Sequence, residues 1–396
     1  MSKKATKQVM KDMNEKLILK QIYYSDGIDR ASLAKKTNLS PASVTNLVSE
    51  MKSNGLVIEI GNAISTGGRR PILLDINPDY KYVIGIKIGY GYINFMLTDL
   101  IGTIKDVKQK IFENITTELV VSELKKQMKQ WFQRYKRDFL GIGVAVSGVV
   151  DSINGTVINS YLLKWKNIKL SEILKKAFNK DVQILNDVDS FALAQLWFGR
   201  AKKYDNSVFL TLGVGIGGSV ILNKRLLSSY GGVSEFGHMT IRENGNECNC
   251  GSRGCLEAEA SFMELARTIA EKTKLETLKR DFNMMQETES SEIEFLERAK
   301  TSDKETFYQV FSQYSDLIGL VLKNIINIFK PEYLLIGGEA MEFSEYFYEK
   351  AIQYAKGNCF NGLSENLNFD KDAIGEDAWT LGCIYRVIEN NILTSK

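Results

Sequence analysis

The chain has 396 residues, 44% of them hydrophobic and 25% charged, and a net charge of only +3. That length exceeds one ordinary domain, so two or three are expected. The charged start MSKKATKQVMKDMNEK has no apolar segment of signal-peptide length, and no run reaches the ~18 apolar residues of a membrane helix, so no membrane association and a cytoplasmic location are expected. The charge is unevenly spread. Residues 1–71 hold twelve Lys/Arg against six Asp/Glu, and the remainder holds 39 against 42. A basic head on a slightly acidic body suits contact with a polyanion, although solvated surface lysine gives the same count.

The head reads as a winged helix-turn-helix over residues 1–76. Asn14 to Tyr24 places Leu17, Ile18, Gln21 and Ile22 on one helical face. Asp29 can cap a short helix from Arg30 to Thr37, with Leu33 and Ala34 facing inward. After the Asn38-Leu39-Ser40 turn, Ser40 caps a helix that opens with Pro41, the residue best tolerated at a first helical position. Val44, Leu47, Val48 and Met51 form its buried stripe. The opposite face carries Ala42, Ser43, Thr45, Asn46 and Ser49, which are short and mostly polar, as a helix entering a DNA major groove requires. Leu56 to Ile60 and the segment Arg69-Arg70-Pro71-Ile72-Leu73-Leu74 then read as a hairpin wing, whose Arg69 and Arg70 can reach phosphates or a narrow minor groove. The candidate DNA-contacting set is Ser40, Ala42, Ser43, Thr45, Asn46, Arg69 and Arg70. A three-helix module that binds protein is the structural alternative.

This stretch, with Gly68 to Pro71 reading Gly-Arg-Arg-Pro, resembles the N-terminal domain of repressors in the ROK family (repressor, open reading frame, kinase). Beyond Asn77-Pro78-Asp79 the pattern changes to apolar strands alternating with amphipathic helices. Val83 to Thr103 reads as consecutive hairpin strands, Thr117 to Tyr135 as a helix and Leu140 to Val146 as a strand. A second such series begins at Val208 to Leu212, and Tyr333 to Ile336 is a late strand. Two similar α/β halves over residues 80–396 match the two-lobed, actin-like sugar kinase architecture, so the expected fold class is α/β behind a winged head.

One histidine and three cysteines crowd into Gly237-His238-Met239 and Cys248-Asn249-Cys250-Gly251-Ser252-Arg253-Gly254-Cys255. His238 is the only histidine of the chain. His238, Cys248, Cys250 and Cys255 supply the nitrogen and sulfur set of a closed zinc site, structural because four protein ligands leave no position for water. Cys359 and Cys383 read as core residues. Glu235-Phe236-Gly237-His238, the Cys-x-Cys-Gly-x-x-Gly-Cys run and Leu256-Glu257 together resemble the ROK signature, here spanning a zinc loop near residues 235–257. Gly85 to Thr103, with Tyr92-Ile93-Asn94 and Leu97-Thr98-Asp99-Leu100, is most similar to the xylose-responsive repressors of that family.

The resemblance implies a sugar held in the cleft between the halves by groups that accept and donate hydrogen bonds. It assigns that role to Asn186 and Asp187, to Glu235 and Glu257, to His238, and to Gly148 in the loop Ser147-Gly148-Val149-Val150-Asp151. Leu162-Leu163-Lys164-Trp165 lacks the asparagine that often precedes the loop tryptophan. On structural grounds alone, Asp187 could cap a helix starting near Ser190, and Glu257 could simply sit at a helix start.

Phosphorylation also needs a cradle for nucleotide phosphates. Asp187 matches the family's catalytic base. Where the kinases carry Asp-x-Gly-x-Thr after the first strand, this chain has Lys87-Ile88-Gly89-Tyr90-Gly91, so a magnesium ion loses an oxygen ligand and meets a cation. Gly213-Val214-Gly215-Ile216-Gly217-Gly218 keeps its glycines but has Val214 in place of threonine, and Gly337-Gly338-Glu339 resembles the adenosine-side glycines. The expectation is a non-enzymatic regulator: a transcriptional repressor that binds a palindromic operator as a homodimer or homotetramer and responds to a small sugar, for which the resemblance points to xylose. An active sugar kinase with a DNA-binding head, or a repressor controlled by a protein partner, are the alternatives.

Overall fold

The computed structural model describes residues 7–62, 70–227, 234–288 and 291–394. Its first helix, α1 (Lys7–Tyr23), buries Ile18, Leu19 and Ile22. It begins before Asn14 because residues 7–13 are good helix formers with no glycine or proline among them. Leu17, expected on the packing face, is 38% exposed. In α2 (Arg30–Thr37) the Asp29 side chain accepts the backbone N–H of Ala31 and Ser32, at 2.8 and 3.0 Å. Leu33 is fully buried whereas Ala34 and Leu39 are half-buried. Asn38 takes the left-handed conformation, φ 55°, that ends α2 and turns the chain.

Ser40 accepts the Ser43 N–H at 3.1 Å and opens α3 (Pro41–Ser53), which buries Val44, Leu47, Val48 and Met51. Strands β1 (Val57–Asn62) and β2 (Ile72–Ile76) pair antiparallel as the wing. Leu74 exchanges two backbone bonds with Ile28, 3.1 and 2.9 Å, which ties the wing to the entry of α2.

The chain divides into two compact units, Met1–Ala194 with Glu376–Lys396, and Gln195–Gly375. Beyond the head, the first unit runs through β3 (Tyr82–Gly89), β4 (Tyr92–Thr98), β5 (Ile104–Ile111), α4 (Thr117–Tyr135), β6 (Phe139–Val146), a small sheet of β7 (Val149–Asp151), β8 (Thr156–Ser160) and β9 (Trp165–Ile168), then α5 (Leu170–Phe178) and β10 (Asp181–Asn186). Its main sheet has the order β10-β6-β3-β4-β5, with β10, β6 and β3 parallel and β3, β4 and β5 antiparallel. One face, with Ile84, Ile86, Ile88 and Val144, packs under Leu124, Trp131 and Leu174 of α4 and α5.

The other face is covered by the return helix, Ala378–Ile388, with which the chain re-enters this unit. Here the sheet is floored with glycine. A Cβ at Gly143 would come within 2.2 Å of the Cys383 carbonyl oxygen, and at Gly85 within 2.7 Å of Ile384. Gly382 of the return helix is in turn pressed on the Ser190 carbonyl, where a Cβ would lie at 1.7 Å. Backbone thus meets backbone, a contact only glycine permits.

Helix α6 (Asp187–Trp197) leads into the second unit, which contains β11 (Ser207–Thr211), β12 (Gly217–Leu222), β13 (Arg225–Leu226), α7 (Leu256–Ala260), α8 (Phe262–Lys272), α9 (Glu276–Thr288), α10 (Glu292–Ser302), α11 (Lys304–Phe329), β14 (Tyr333–Gly337), α12 (Ser344–Asn358) and β15 (Asn368–Lys371). Its sheet has the order β13-β12-β11-β14-β15 and repeats the strand senses of the first. Its core gathers Phe307, Phe311, Tyr314, Phe343 and Phe347 beside the strands. No helix of the described residues is long and apolar enough to cross a membrane.

Candidate functional site

In the first unit, Lys87 lies two residues before the end of β3, on the face that the return helix covers. Its ammonium is paired with the Asp187 carboxylate, with side-chain exposures of 8% and 14%. The same nitrogen stands 5.1 Å from the centre of the Trp379 ring, so the charge is held by an anion and an aromatic face together. Trp379 opens the return helix. It is fixed to α6 by the Ser190 hydroxyl, which donates to its carbonyl at 2.7 Å, and by Phe191, ring to ring at 5.0 Å.

A carboxylate already engaged by a tethered cation is poorly placed to take up a proton.

Asn186, not Asp187, is the main cap of α6. Its Oδ1 accepts the N–H groups of Val188 and Asp189, at 2.8 and 3.2 Å, and the helix begins at Asp187 instead of near Ser190. The Asn186 amide donates to the Gly148 carbonyl at 2.9 Å, which joins the helix start to the loop expected over the sugar. Gly148 has φ +107°, and a Cβ there would lie 2.3 Å from the Asn159 carbonyl oxygen. Beside it the Ser147 hydroxyl is buried with no hydrogen-bond partner, as is the side-chain amide oxygen (Oδ1) of Asn94, the residue directly opposite Lys87 in the β3–β4 register. Buried polar atoms left unpaired are costly, and a hydroxyl-rich ligand can supply their missing bonds.

In the second unit, Glu257 follows the last cysteine at the start of α7, and its carboxylate accepts the Ile216 N–H at 3.2 Å. Glu235 is exposed just before Phe236-Gly237-His238. The glycines of the loop 213–218 have packing duties of their own. A Cβ at Gly213 would fall 1.9 Å from a Glu339 carboxylate oxygen, and one at Gly218 would strike the Phe236 ring at 2.1 Å. Glu339 thus sets its side chain against the Gly213 backbone, an approach the sequence does not announce.

The metal set is assembled. His238 Nδ1 lies 3.6 Å from Cys248 Sγ, Cys250 Sγ lies 3.6 Å from Cys255 Sγ, and all four ligand atoms fall within 4.8 Å of one another. Tetrahedral bonds of about 2.0–2.3 Å put ligand atoms roughly 3.5–3.8 Å apart, so the geometry fits a zinc-sized ion. The Ser252 N–H holds the Cys250 thiol down at about 7, while burial pushes Cys255 up to about 12. The loop is anchored by Glu259, which sequence reasoning passed over. Its buried carboxylate accepts the Asn246 N–H at 2.6 Å and pairs with Arg242 at 2.8 Å. Cys383 is a core residue, as expected, whereas Cys359 is only half-buried.

On α3, Ala42, Thr45 and Asn46 are exposed, Ser43 is half-buried, and Ser40 is engaged as the cap. Glu50, the one acid near this face, is paired with Lys11 at 2.7 Å. Arg70 is exposed, and Arg69 lies outside the described residues.

The description of the ROK family matches residues 83–389. The chain belongs to the ROK family. It is 31% identical over 393 residues to a protein named xylose repressor from Caldicellulosiruptor bescii, covering 96% of this chain and 97% of that one. Among solved structures, a ROK family transcriptional regulator described as a homologue of the Escherichia coli MLC protein matches with a TM-score of 0.82 and 24% identity, over 97% of this chain and 98% of its own. A ROK family glucokinase from Streptomyces griseus, solved with glucose and AMPPNP, matches with a TM-score of 0.64 and 21% identity, over 78% of this chain and all of its own. The fold is thus the actin-like fold of ROK regulators and kinases, preceded by a helical head.

Proposed function

We propose that this ROK protein is a sugar-responsive, DNA-binding transcriptional repressor whose kinase chemistry is disabled. The observation that carries the reading is Lys87 seated on Asp187 in a chain related over its full length to a xylose repressor. The head, residues 1–76, reads DNA through Ser40, Ala42, Ser43, Thr45 and Asn46 of the α3 segment and through Arg69 and Arg70 of the wing. Residues 80–396 sense a small aldose, for which xylose is the first to test. Asn186, Asp187 and Gly148 of the first unit and Glu235, His238 and Glu257 of the second hold its hydroxyls.

Asp187 accepts from a sugar hydroxyl without taking its proton, since Lys87 stays beside it. The four residues His238, Cys248, Cys250 and Cys255 hold zinc, whose contribution is to fix the loop that carries Glu235 and Glu257. With Nδ1 toward the thiols, His238 has Nε2 left for a hydroxyl. Two or four copies bind a palindromic operator, because paired heads gain affinity through effective concentration, and sugar releases them.

A labelled duplex selected from a random pool by the protein tests this by fluorescence anisotropy with and without D-xylose, D-glucose and N-acetylglucosamine. The expected result is operator binding that one aldose weakens, lost in Asn46→Glu while sugar binding persists, with no ADP formed from Mg·ATP and the same sugar. Brisk ADP formation would instead make the chain a kinase.

A further inference from the structure

The return helix joins two places of the first unit that the proposed function needs to communicate. At its start, Trp379 stacks near the Lys87 ammonium and is tied through Ser190 and Phe191 to the helix that Asp187 begins. At its far end, the Tyr385 hydroxyl bonds the Tyr24 hydroxyl at the end of α1, at 2.6 Å, with the Tyr23 ring 6.5 Å from its own. Directly after it, residues Glu389–Leu393 form a π-helical turn, an uncommon form often found where function needs it. The carbonyl of Asn391 in that turn accepts Lys16 of α1 at 2.6 Å.

Between these ends the helix has little room to deform. It lies on the glycine floor of β3 and β6, and its own Gly382 presses on the Ser190 carbonyl. Ten or so residues in such close contact move as one body, because packed interfaces switch between arrangements instead of yielding gradually. Beside the joint with the head opens a cleft of about 510 Å³, lined by Val9, Met13 and Lys16 of α1 and by Asn390, Asn391 and Thr394 of the turn and its end. A stiff element thus ends on a joint whose contacts include the Tyr24–Tyr385 and Lys16–Asn391 hydrogen bonds and the Tyr23–Tyr385 ring contact.

We propose that the return helix is the strut by which occupancy at Asp187 is read by the DNA-binding head, with Tyr385 and Asn391 as positioning residues at the joint. The inference rests on the sugar-responsive reading above and deepens it. A sugar hydroxyl at Asp187 shares that carboxylate with the Lys87 ammonium, which keeps its pairing but must give room. Lys87 shifts against Trp379, the helix follows as a unit, and Tyr24 and Lys16 change the pose of α1. A ligand shifts such an equilibrium only through contacts that differ between the two states, and the Lys87–Asp187 pair is such a contact.

The test uses the full chain, the selected operator duplex, and whichever of D-xylose, D-glucose and N-acetylglucosamine weakens operator binding by the unaltered protein. The quantity read is the ratio of operator Kd with saturating sugar to that without. In Tyr24→Phe/Tyr385→Phe, which keeps both rings, this ratio falls about fivefold toward one, the factor expected for one hydrogen bond. Sugar affinity, measured separately by calorimetry, stays as in the unaltered chain. Lys16→Met lowers the ratio likewise, and Lys16→Arg restores it, which also serves if the double variant folds poorly. A ratio unchanged in both the phenylalanine pair and Lys16→Met overturns the strut while leaving the repressor reading intact. If no aldose changes operator binding by the unaltered protein, the parent reading falls and the strut with it.

Discussion

In the first unit, the strand entering the β3–β4 loop carries Lys87 paired to Asp187; in the second, the β11–β12 loop receives the Glu339 carboxylate against Gly213. The two sheets share strand order and sense, so these are equivalent loops. They are filled in opposite ways: one by a cation that engages a neighbouring carboxylate, the other by a carboxylate set against a glycine backbone. The first contact joins two charged groups one hundred residues apart in the chain, whereas the second is a close fit of a side chain on main chain.

The units differ also in what holds them together, and the largest expected effect separates them on that ground. Cys255→Ser removes a fully buried thiol of the metal set. It is expected to abolish binding of one zinc per chain, read by metal analysis, and to lower Tm on the order of 10 °C, with hydrogen-exchange protection lost in the second unit first. Equal loss in both units would show that the metal loop does not belong to the second unit's stability.

Next comes Lys87→Met, which leaves a mostly buried Asp187 without its partner and should cost about 3 kcal/mol in urea unfolding. Adding Asp187→Asn should recover most of that loss, and additive costs would dissolve the pair as an energetic unit. Gly143→Ala puts a methyl within 2.2 Å of the Cys383 carbonyl, an atom that cannot swing aside, so a cost of about 2 kcal/mol is expected. Gly213→Ala meets chiefly the Glu339 carboxylate, which can swing away, with the Glu339 Cβ at 3.2 Å as the fixed neighbour, and its cost should stay at about 1 kcal/mol. If Gly213→Ala proves the worse of the two, the second loop is more tightly built than the first.

Much of this was legible in the sequence where the signals are local. Asp29, Ser40 and Pro41 mark helix starts within three residues of the bonds they make, and the cysteine spacing foretold the metal cluster. Lys87 was legible as a loss, but its partner stands one hundred residues on, and no periodicity connects them. Trp379 and Glu339 carry no motif, since their roles arise only when a helix or a glycine loop arrives from elsewhere. Glu259 lies two residues past Glu257, yet only its burial and its bonds to Arg242 and Asn246 distinguish it. The alternative of Asp187 as a helix cap near Ser190 gives way to Asn186 capping a helix that starts at Asp187, because Asn186 and Asp187 are both good acceptors and the Asp187 carboxylate is engaged by Lys87.

The interruption of the first unit by the second has a consequence for how the protein is made. Residues 195–375 must leave the ribosome before the helix that covers Gly85, Gly141 and Gly143 exists. At about 5–20 residues per second, that is a delay of roughly 10–40 s. Throughout it the nascent DNA-reading head lacks Tyr385 and Asn391, and one side of its neighbouring sheet stays bare.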